Sequence, residues 1–284
     1  MGPSEPIRSI GIDIGGSSVK AAALTECGAW RTAQSERYRS PDPATLRSAV
    51  LKCLRELRVS DVDQSSMGLC VPGRRDAQGY TIVESVNVPA LTGVDLRALV
   101  DHPNPMVIGD AEAAAVDAQE LRGDRGRLLL LALGTGVGAC VLDGGTALRV
   151  SDASPGHFGQ IDVSLEEDAP IGPDNGRGSL EAYIGAAALI TRFGEDEDSI
   201  RAGLVADDRP LRALSRAIRV AHAVYRPRVV CLAGGVGLML RDHLPELDRL
   251  VRSELTSVAR QDWVLECADD LFHAARGAAR SAEM

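Results

Sequence analysis

The first residues in this chain that could do chemistry form the stretch Ile10-Gly11-Ile12-Asp13-Ile14-Gly15-Gly16-Ser17-Ser18-Val19-Lys20. An apolar run delivers a carboxylate, turns on two glycines beside a hydroxyl, and resumes through Val19 to Leu24. Glycine permits positive φ and leaves room where a Cβ would stand. An aspartate beside backbone N–H groups and a hydroxyl therefore suits Mg²⁺ and phosphate oxygens. An ordinary Gly-Gly hairpin with Asp as turn former accounts for the same letters. The pattern recurs past the middle: Leu128–Leu133 is apolar, Gly134-Thr135-Gly136-Val137-Gly138 turns with a hydroxyl, and Ala139–Leu142 returns. A third glycine turn, Gly234-Gly235-Val236-Gly237, closes the apolar run Arg228–Ala233. Between the first two lies Gly109-Asp110, after the apolar run Met106-Val107-Ile108 and before the Ala-rich Ala111–Leu121. Ligands sit at the carboxyl ends of strands in open α/β sheets. Asp110 is thus a helix N-cap, a catalytic carboxylate on that edge, or both.

These residues need strands to carry them and helices to back the strands. Leu46, Val50, Leu54 and Leu57 at three-to-four spacing predict a helix after Ser40-Pro41-Asp42-Pro43. Met67–Val71 reads as a buried strand ending in Pro72-Gly73, and Trp30–Tyr38 as a third strand beside the opening hairpin. Helices are expected over Leu211–Tyr225, along Leu244–Leu255 and over Phe272–Ala282, with a last strand at Trp263–Cys267. Residues 151–178 are irregular and rich in Gly, Pro and Asp, the composition of a functional or disordered loop. Two strand–glycine-turn–strand units predict a duplicated α/β architecture that grips a phosphate between its halves. The expected domains are 1–122, with the helix of about 270–284 packing back on it, and 123–269, hinged near Gly123–Gly126.

Composition narrows the partners. With 284 residues, 25% charged and a net charge of −9, the chain lacks the basic excess that nucleic-acid binding requires. No apolar run approaches the roughly 18–20 residues of a membrane span, and Met1–Pro6 shows no signal pattern, so a cytoplasmic protein is expected. The six cysteines, at 27, 53, 70, 140, 231 and 267, are too scattered for a metal knuckle and read as buried free thiols.

The order of these features resembles the ROK sugar kinases, within the actin–hexokinase–heat-shock ATPase superfamily, over nearly the whole chain. The family's Asp-x-Gly-Gly-Thr hairpin is matched by Asp13-Ile14-Gly15-Gly16-Ser17, its second phosphate turn by Gly134–Gly138, and its adenosine-facing glycines by Gly234-Gly235-Val236. The catalytic aspartate of its Asn-Asp pair falls on Asp110, with Gly109 in place of the asparagine. The sugar signature Gly-Glu-x-Gly-His aligns with Gly156-His157-Phe158-Gly159-Gln160, so glutamate has become histidine and histidine glutamine. The cysteine-rich zinc loop aligns with Ile171-Gly172-Pro173 and Ser179, and without thiolates no structural zinc is expected. Glu181, Gly73 and Asn87 match positions that line the sugar pocket.

The resemblance implies a two-domain actin-like (ribonuclease H-like) ATPase fold with a cleft between the domains. It implies phosphoryl transfer from ATP to a sugar hydroxyl, with Asp110 as general base. Asp13 would hold Mg²⁺. Gly15, Gly16, Ser17, Lys20, Gly134, Thr135 and Gly136 would take the phosphates, and Gly234 and Gly235 the adenosine. Gly73, Asn87, Gly109, Asp110, His157, Gln160 and Glu181 would read the acceptor. Polyphosphate stays open as donor, and the family's dimers make a homodimer the expected assembly. Because a site built for given hydroxyls rejects analogues steeply, the altered signature implies redirected acceptor specificity. The competing reading is a catalytically poor ROK-like protein that binds a sugar or nucleotide as a sensor or scaffold.

Overall fold

The apolar runs of the first half become one mixed sheet, because β-branched and aliphatic residues buried on both faces favour parallel neighbours. The computed structural model describes residues 5–59, 65–85, 88–150, 155–173, 175–205 and 208–284. Two units emerge, Met1–Ala118 with Phe272–Met284, and Gln119–Leu271.

In the first unit, strands β1 (Ile7–Ile14), β2 (Val19–Thr25) and β3 (Trp30–Gln34) form an antiparallel meander. Helix α1 (Pro43–Glu56) follows, capped by the Asp42 carboxylate, which accepts from the Thr45 N–H at 2.7 Å. It buries Leu46, Val50, Cys53 and Leu54. Strand β4 (Ser66–Cys70), the small hairpin β5 (Arg74–Arg75) and β6 (Ile82–Glu84), helix α2 (Leu96–Val100) and strand β7 (Met106–Ile108) lead into α3 (Asp110–Arg122). The sheet order is β3-β2-β1-β4-β7, with β1, β4 and β7 parallel. Strand β3 stops at Gln34, short of the expected Tyr38, because Tyr38 folds back over the first glycine turn and donates its N–H to the Ser17 carbonyl at 2.9 Å.

The second unit repeats the plan. Strands β8 (Leu128–Leu133), β9 (Val137–Asp143) and β10 (Thr146–Ala147) are antiparallel, and the sheet order is β10-β9-β8-β11-β12. Helices α4 (Leu180–Ile184), α5 (Ala186–Phe193), α6 (Glu197–Gly203) and α7 (Arg209–Val224) precede β11 (Val229–Ala233). Helices α8 (Gly234–Met239) and α9 (Leu244–Ser253) precede β12 (Val264–Cys267). Strands β8, β11 and β12 are parallel. The third glycine turn of the sequence is thus the first turn of a helix. Cys53, Cys70, Cys140 and Cys231 are buried as expected, whereas Cys27 is exposed, since it falls in the turn after β2 beside the Thr25 hydroxyl. No described helix is long and apolar enough to cross a membrane.

The last helix, α10 (His273–Ser281), returns to the first unit and lies directly on β1 and β4. A Cβ at Gly11 would collide with the Ala275 carbonyl oxygen, one at Gly68 with that of Ala278, and one at Gly277 with that of Ala113 on α3. Glycine at these three positions sets the close approach. The fully buried Asp117 of α3 then ties the layers together. Its carboxylate accepts from Arg276 Nε at 2.8 Å and Arg280 Nε at 2.9 Å, and His273 Nδ1 lies 2.8 Å away. Burial alone would raise the Asp117 carboxyl; the hydrogen bonds from His273, Arg276 and Arg280 outweigh it and hold the group below the ordinary carboxylate range.

Removing one partner of a buried ion network costs about 3–5 kcal/mol. Asp117→Ala is therefore expected to destabilise the first unit by that order. Urea unfolding read through Trp30, whose ring lies 5.2 Å from the Arg280 guanidinium, checks it in a Trp263→Phe background; an unchanged midpoint contradicts it.

The second core holds a pH-sensitive group. His222 of α7 is buried edge-on against the Trp263 ring, 4.5 Å between centroids, and its ring nitrogens have no partner among the described residues. Burial, and then the charge of Arg252, lowers its pKa from 6.5 to about 4. The folded state thus keeps it neutral while the unfolded chain takes up a proton, and stability rises with pH between those values. The contribution is fully present above pH 6.5 and is lost as the pH falls toward 4. His222→Phe should flatten the stability–pH curve of this unit in that window, as measured by denaturant titration at several pH values.

Candidate functional site

In the first unit the candidate residues gather at the carboxyl ends of three parallel strands. The register places Asp13 of β1 beside Cys70 of β4, and Cys70 beside Ile108 of β7, after which come Gly109 and Asp110. Two strand spacings of 4.7–4.9 Å put the ends of β1 and β7 roughly 10 Å apart. Cys70, between them, is buried and donates its thiol to the Ala274 carbonyl at 3.2 Å. Burial first, then the charges of Asp13 and Asp110, raises this thiol. It is inert.

Asp110 is an exposed carboxylate in the first turn of α3; the cap expected of it falls one residue earlier, since the Ala113 N–H donates to the Gly109 carbonyl at 2.9 Å. Its Oδ1 accepts from the Ala111 N–H at 2.8 Å, which orients it at the start of α3, and the side chain is open to solvent. Desolvation by surrounding protein atoms, and then the like charge of Asp13, pushes its carboxyl above the ordinary range; solvent exposure moderates both effects. Gly109 has open space where a Cβ would stand. Gly73 has φ of +118°, and a Cβ there would come within 2.5 Å of the Glu84 carbonyl oxygen, so the small hairpin requires glycine. Asn87 lies outside the described residues.

The first glycine turn is held from two sides. Asp13, 8% exposed, pairs with its cross-strand neighbour Lys20, Nζ to Oδ2 3.3 Å. The Gly15 N–H donates to the Ser18 carbonyl at 3.1 Å, and the Tyr38 hydroxyl donates to the Gly15 carbonyl at 2.6 Å. Burial, and then the Asp13 charge, keeps that hydroxyl protonated by raising its pKa. Reasoning from the sequence passed over Tyr38; its only signal was an aromatic in a chain with 3% aromatics. The amide of Gly16 is not used within the turn, and the Ser17 side chain is exposed.

In the second unit, Ala132 of β8 pairs with Ala233 of β11, so the turns at Gly134 and Gly234 stand side by side at neighbouring strand ends. Gly234 has φ of +82°, and a Cβ there would collide with the Leu133 carbonyl; Gly134 and Gly235 face open space. The Gly134 N–H donates to the Gly136 carbonyl at 2.9 Å, while Thr135 is exposed. Of the four glycine amides expected at phosphates, those of Gly15 and Gly134 are therefore engaged inside their own turns.

Two residues of the segments expected to read the acceptor, Gly159 and Glu181, adjoin this turn. Gly159 packs on Val137 so closely that a Cβ would collide with its carbonyl oxygen. Glu181 is buried, and its Oε2 accepts from the Val137 N–H at 2.7 Å. His157 is exposed ahead of a short 3-10 turn, Phe158–Gln160, and Gln160 is half-buried with its Oε1 near Gly176. The loop that aligns with the zinc loop is closed by two backbone bonds and the Arg177 guanidinium. Gly172 N–H donates to Gly176 O at 2.9 Å, Gly178 N–H to Pro170 O at 2.7 Å, and Arg177 to Ala169 O at 3.0 Å. Among the described residues no group of three or more His, Cys, Asp and Glu could hold a metal.

The ROK family model matches residues 9–283. An N-acetylmannosamine kinase of Escherichia coli O139:H28 is 28% identical over 253 residues, covering 82% of this chain and 84% of its own. A type III pantothenate kinase of Rubrobacter xylanophilus is 30% identical over 189 residues, covering 59% and 70%. Among solved structures, a ROK family glucokinase from Streptomyces griseus in complex with glucose and AMPPNP superposes with a TM-score of 0.72 at 19% identity, over 97% of this chain and 99% of that one. A ROK family transcriptional regulator, a homologue of the E. coli MLC protein, gives 0.74 at 17%, over 97% and 77%. At these identities the two structures speak for the actin-like ATPase fold alone.

The glycines separate by role. Gly234→Ala should cost more than about 1 kcal/mol from strained φ and the collision with Leu133. Gly235→Ala, in open space, should leave the melting temperature within a degree or two. Paired thermal unfolding of the two variants checks both.

Proposed function

The chain belongs to the ROK family, and from that premise we propose that it is an ATP-dependent kinase that phosphorylates a hydroxyl of a sugar or sugar-like acceptor. One observation carries the reading. A solvent-accessible carboxylate, Asp110, is oriented at a parallel-strand end, one strand removed from a second carboxylate, Asp13, that borders a glycine turn. A pure binding module has no need of that pair.

Phosphoryl transfer asks the protein chiefly for positioning and charge neutralisation. Asp110 accepts the proton of the attacking hydroxyl; its orientation by the Ala111 amide sets the lone pairs before substrate arrives, and its raised pKa makes it a stronger base than an ordinary aspartate. Asp13 is the residue that would hold Mg²⁺. Its oxygen-only donor, close to neutral Gly16 and Ser17 and repelling Asp110, fits a hard cation. Mg²⁺ when bound supplies charge neutralisation at the phosphates. Lys20 steadies Asp13 and adds positive charge beside the turn. The Ser17 and Thr135 hydroxyls and the Gly16 and Gly136 amides take phosphate oxygens, and the bare Gly235 leaves room for the nucleoside.

For the acceptor, His157, Gln160 and Glu181 offer hydrogen bonds to hydroxyl or acetamido groups, and Gly109 leaves space beside the base for a substituent. The N-acetylmannosamine kinase relative makes acetamido sugars the first class to assay. The pantothenate kinase relative adds a non-sugar hydroxyl to the panel. ADP release from Mg-ATP is the measurement, across hexoses, acetamido sugars, polyols and pantothenate. Turnover on one class, reduced about 10²-fold or more by Asp110→Asn, is the expected outcome.

The second reading is a ROK-like binder with little catalysis. It draws support from the replaced signature residues His157 and Gln160 and from Glu181, one of whose oxygens is committed to the Val137 amide. Absence of turnover on the whole panel, alongside thermal stabilisation by one of its sugars, would favour it.

A further inference from the structure

The carboxylate of Glu181 stands where the acceptor-side segments meet the second glycine turn, and we infer that it is a positioning residue for that turn. It acts on nucleotide binding through Val137, in addition to any contact with an acceptor. Glu181 is 7% exposed and stands in the first turn of α4, whose start is capped by the Ser179 hydroxyl accepting from the Ala182 N–H at 3.2 Å. From there its Oε2 accepts from the N–H of Val137, the residue directly after Gly136, at 2.7 Å. A charge-assisted bond of this kind is about twice as strong as a neutral one.

The same turn is gripped at its other points. The Ala186 N–H, first of α5, donates to the Gly134 carbonyl at 2.8 Å. Gly185 passes so close that a Cβ would lie 2.8 Å from the Glu181 carbonyl oxygen and 3.3 Å from that of Thr135. Gly159, inside the altered signature, lies against the Val137 carbonyl. The carbonyl that enters the turn and the amide that leaves it are both fixed by residues 181–186, and the amides of Thr135 and Gly136 between them are held in one orientation. Donors fixed before the ligand arrives bind a phosphate without reorganisation. Glu181 thus ties the acceptor-reading segment to the phosphate-reading turn.

This inference rests on the kinase reading only for the identity of the ligand, so its test has one arm that needs no ligand. Hydrogen exchange of the Val137 amide is followed in the ligand-free chain, and ADP affinity is measured by calorimetry without acceptor. Glu181→Ala should speed Val137 exchange at least ten-fold and weaken ADP binding roughly ten-fold, the scale of one lost hydrogen bond to a charged group. Glu181→Gln keeps an oxygen that accepts from Val137 and should stay within about three-fold on both readouts. Glu181→Asp, one methylene too short, should resemble alanine and serves if the alanine variant fails to fold. Unchanged Val137 exchange in the alanine and aspartate variants overturns the inference, as does unchanged ADP affinity in a chain that binds ADP. The exchange pattern as expected in a wild-type chain that binds no ADP supports the positioning role and overturns the kinase reading.

Discussion

A single buried carboxylate, Asp117, ties the layers of the first unit together. Its partners Arg276 and Arg280 come from the far end of the chain, 159 and 163 residues away. They pin α10 across β1 and β4, whose ends carry Asp13 and Cys70, and against α3, whose first residue is Asp110. Asp110 and Asp117 are two helical turns apart on α3, so the clamp that fixes one fixes the axis that aims the other. Bare glycines at Gly11, Gly68 and Gly277 let the layers approach closely enough for the clamp to reach. A methyl group at Gly11 or Gly68 would push α10 away from the strands it supports, and one at Gly277 would push it away from α3.

The two units use one plan with different residues. Each sheet begins with an antiparallel meander around a glycine turn and continues through parallel strands. In the first unit the carboxyl ends of those strands carry the carboxylates Asp13 and Asp110. In the second they carry Gly134, Thr135 and Gly234. The second unit also brings Gly159, Glu181 and Gly185 onto the turn at Gly134–Val137. The segment that departs most from the family's sugar signature therefore packs on the second glycine turn through the Gly159 and Glu181 contacts.

Much of this was legible in the letters. An apolar run ending in Asp-x-Gly-Gly or Gly-Thr-Gly is a local signal, set by backbone freedom and strand periodicity, and both hairpins formed where those signals stood. Asp110 was readable as an exposed carboxylate where a strand hands over to a helix, because that depends only on the strand end before it and the helix after it; the cap falls one residue earlier, on Gly109. What stayed hidden depends on partners distant in sequence. Nothing near Asp117 announces Arg276, and nothing near Gly15 announces the Tyr38 hydroxyl. The turn at Gly234 looked like its predecessors but opens the helix α8, which closes on the Leu240 N–H donating back to the Val236 and Gly237 carbonyls. Glu181 was read as a sugar ligand from its place in the motif; that it reaches back to Val137 follows from the fold of residues 155–181, where no periodic pattern guides prediction.

The central claim is that Asp110 serves phosphoryl transfer to a hydroxyl. Following the γ-phosphate of labelled Mg-ATP tests it most directly, with acceptor and inorganic phosphate separated after the quench. The account predicts label on an acceptor from the sugar or sugar-like panel in wild-type protein, and label remaining on ATP in Asp110→Asn, with ADP affinity retained. Label on no acceptor, or equal transfer by the two proteins, would contradict it.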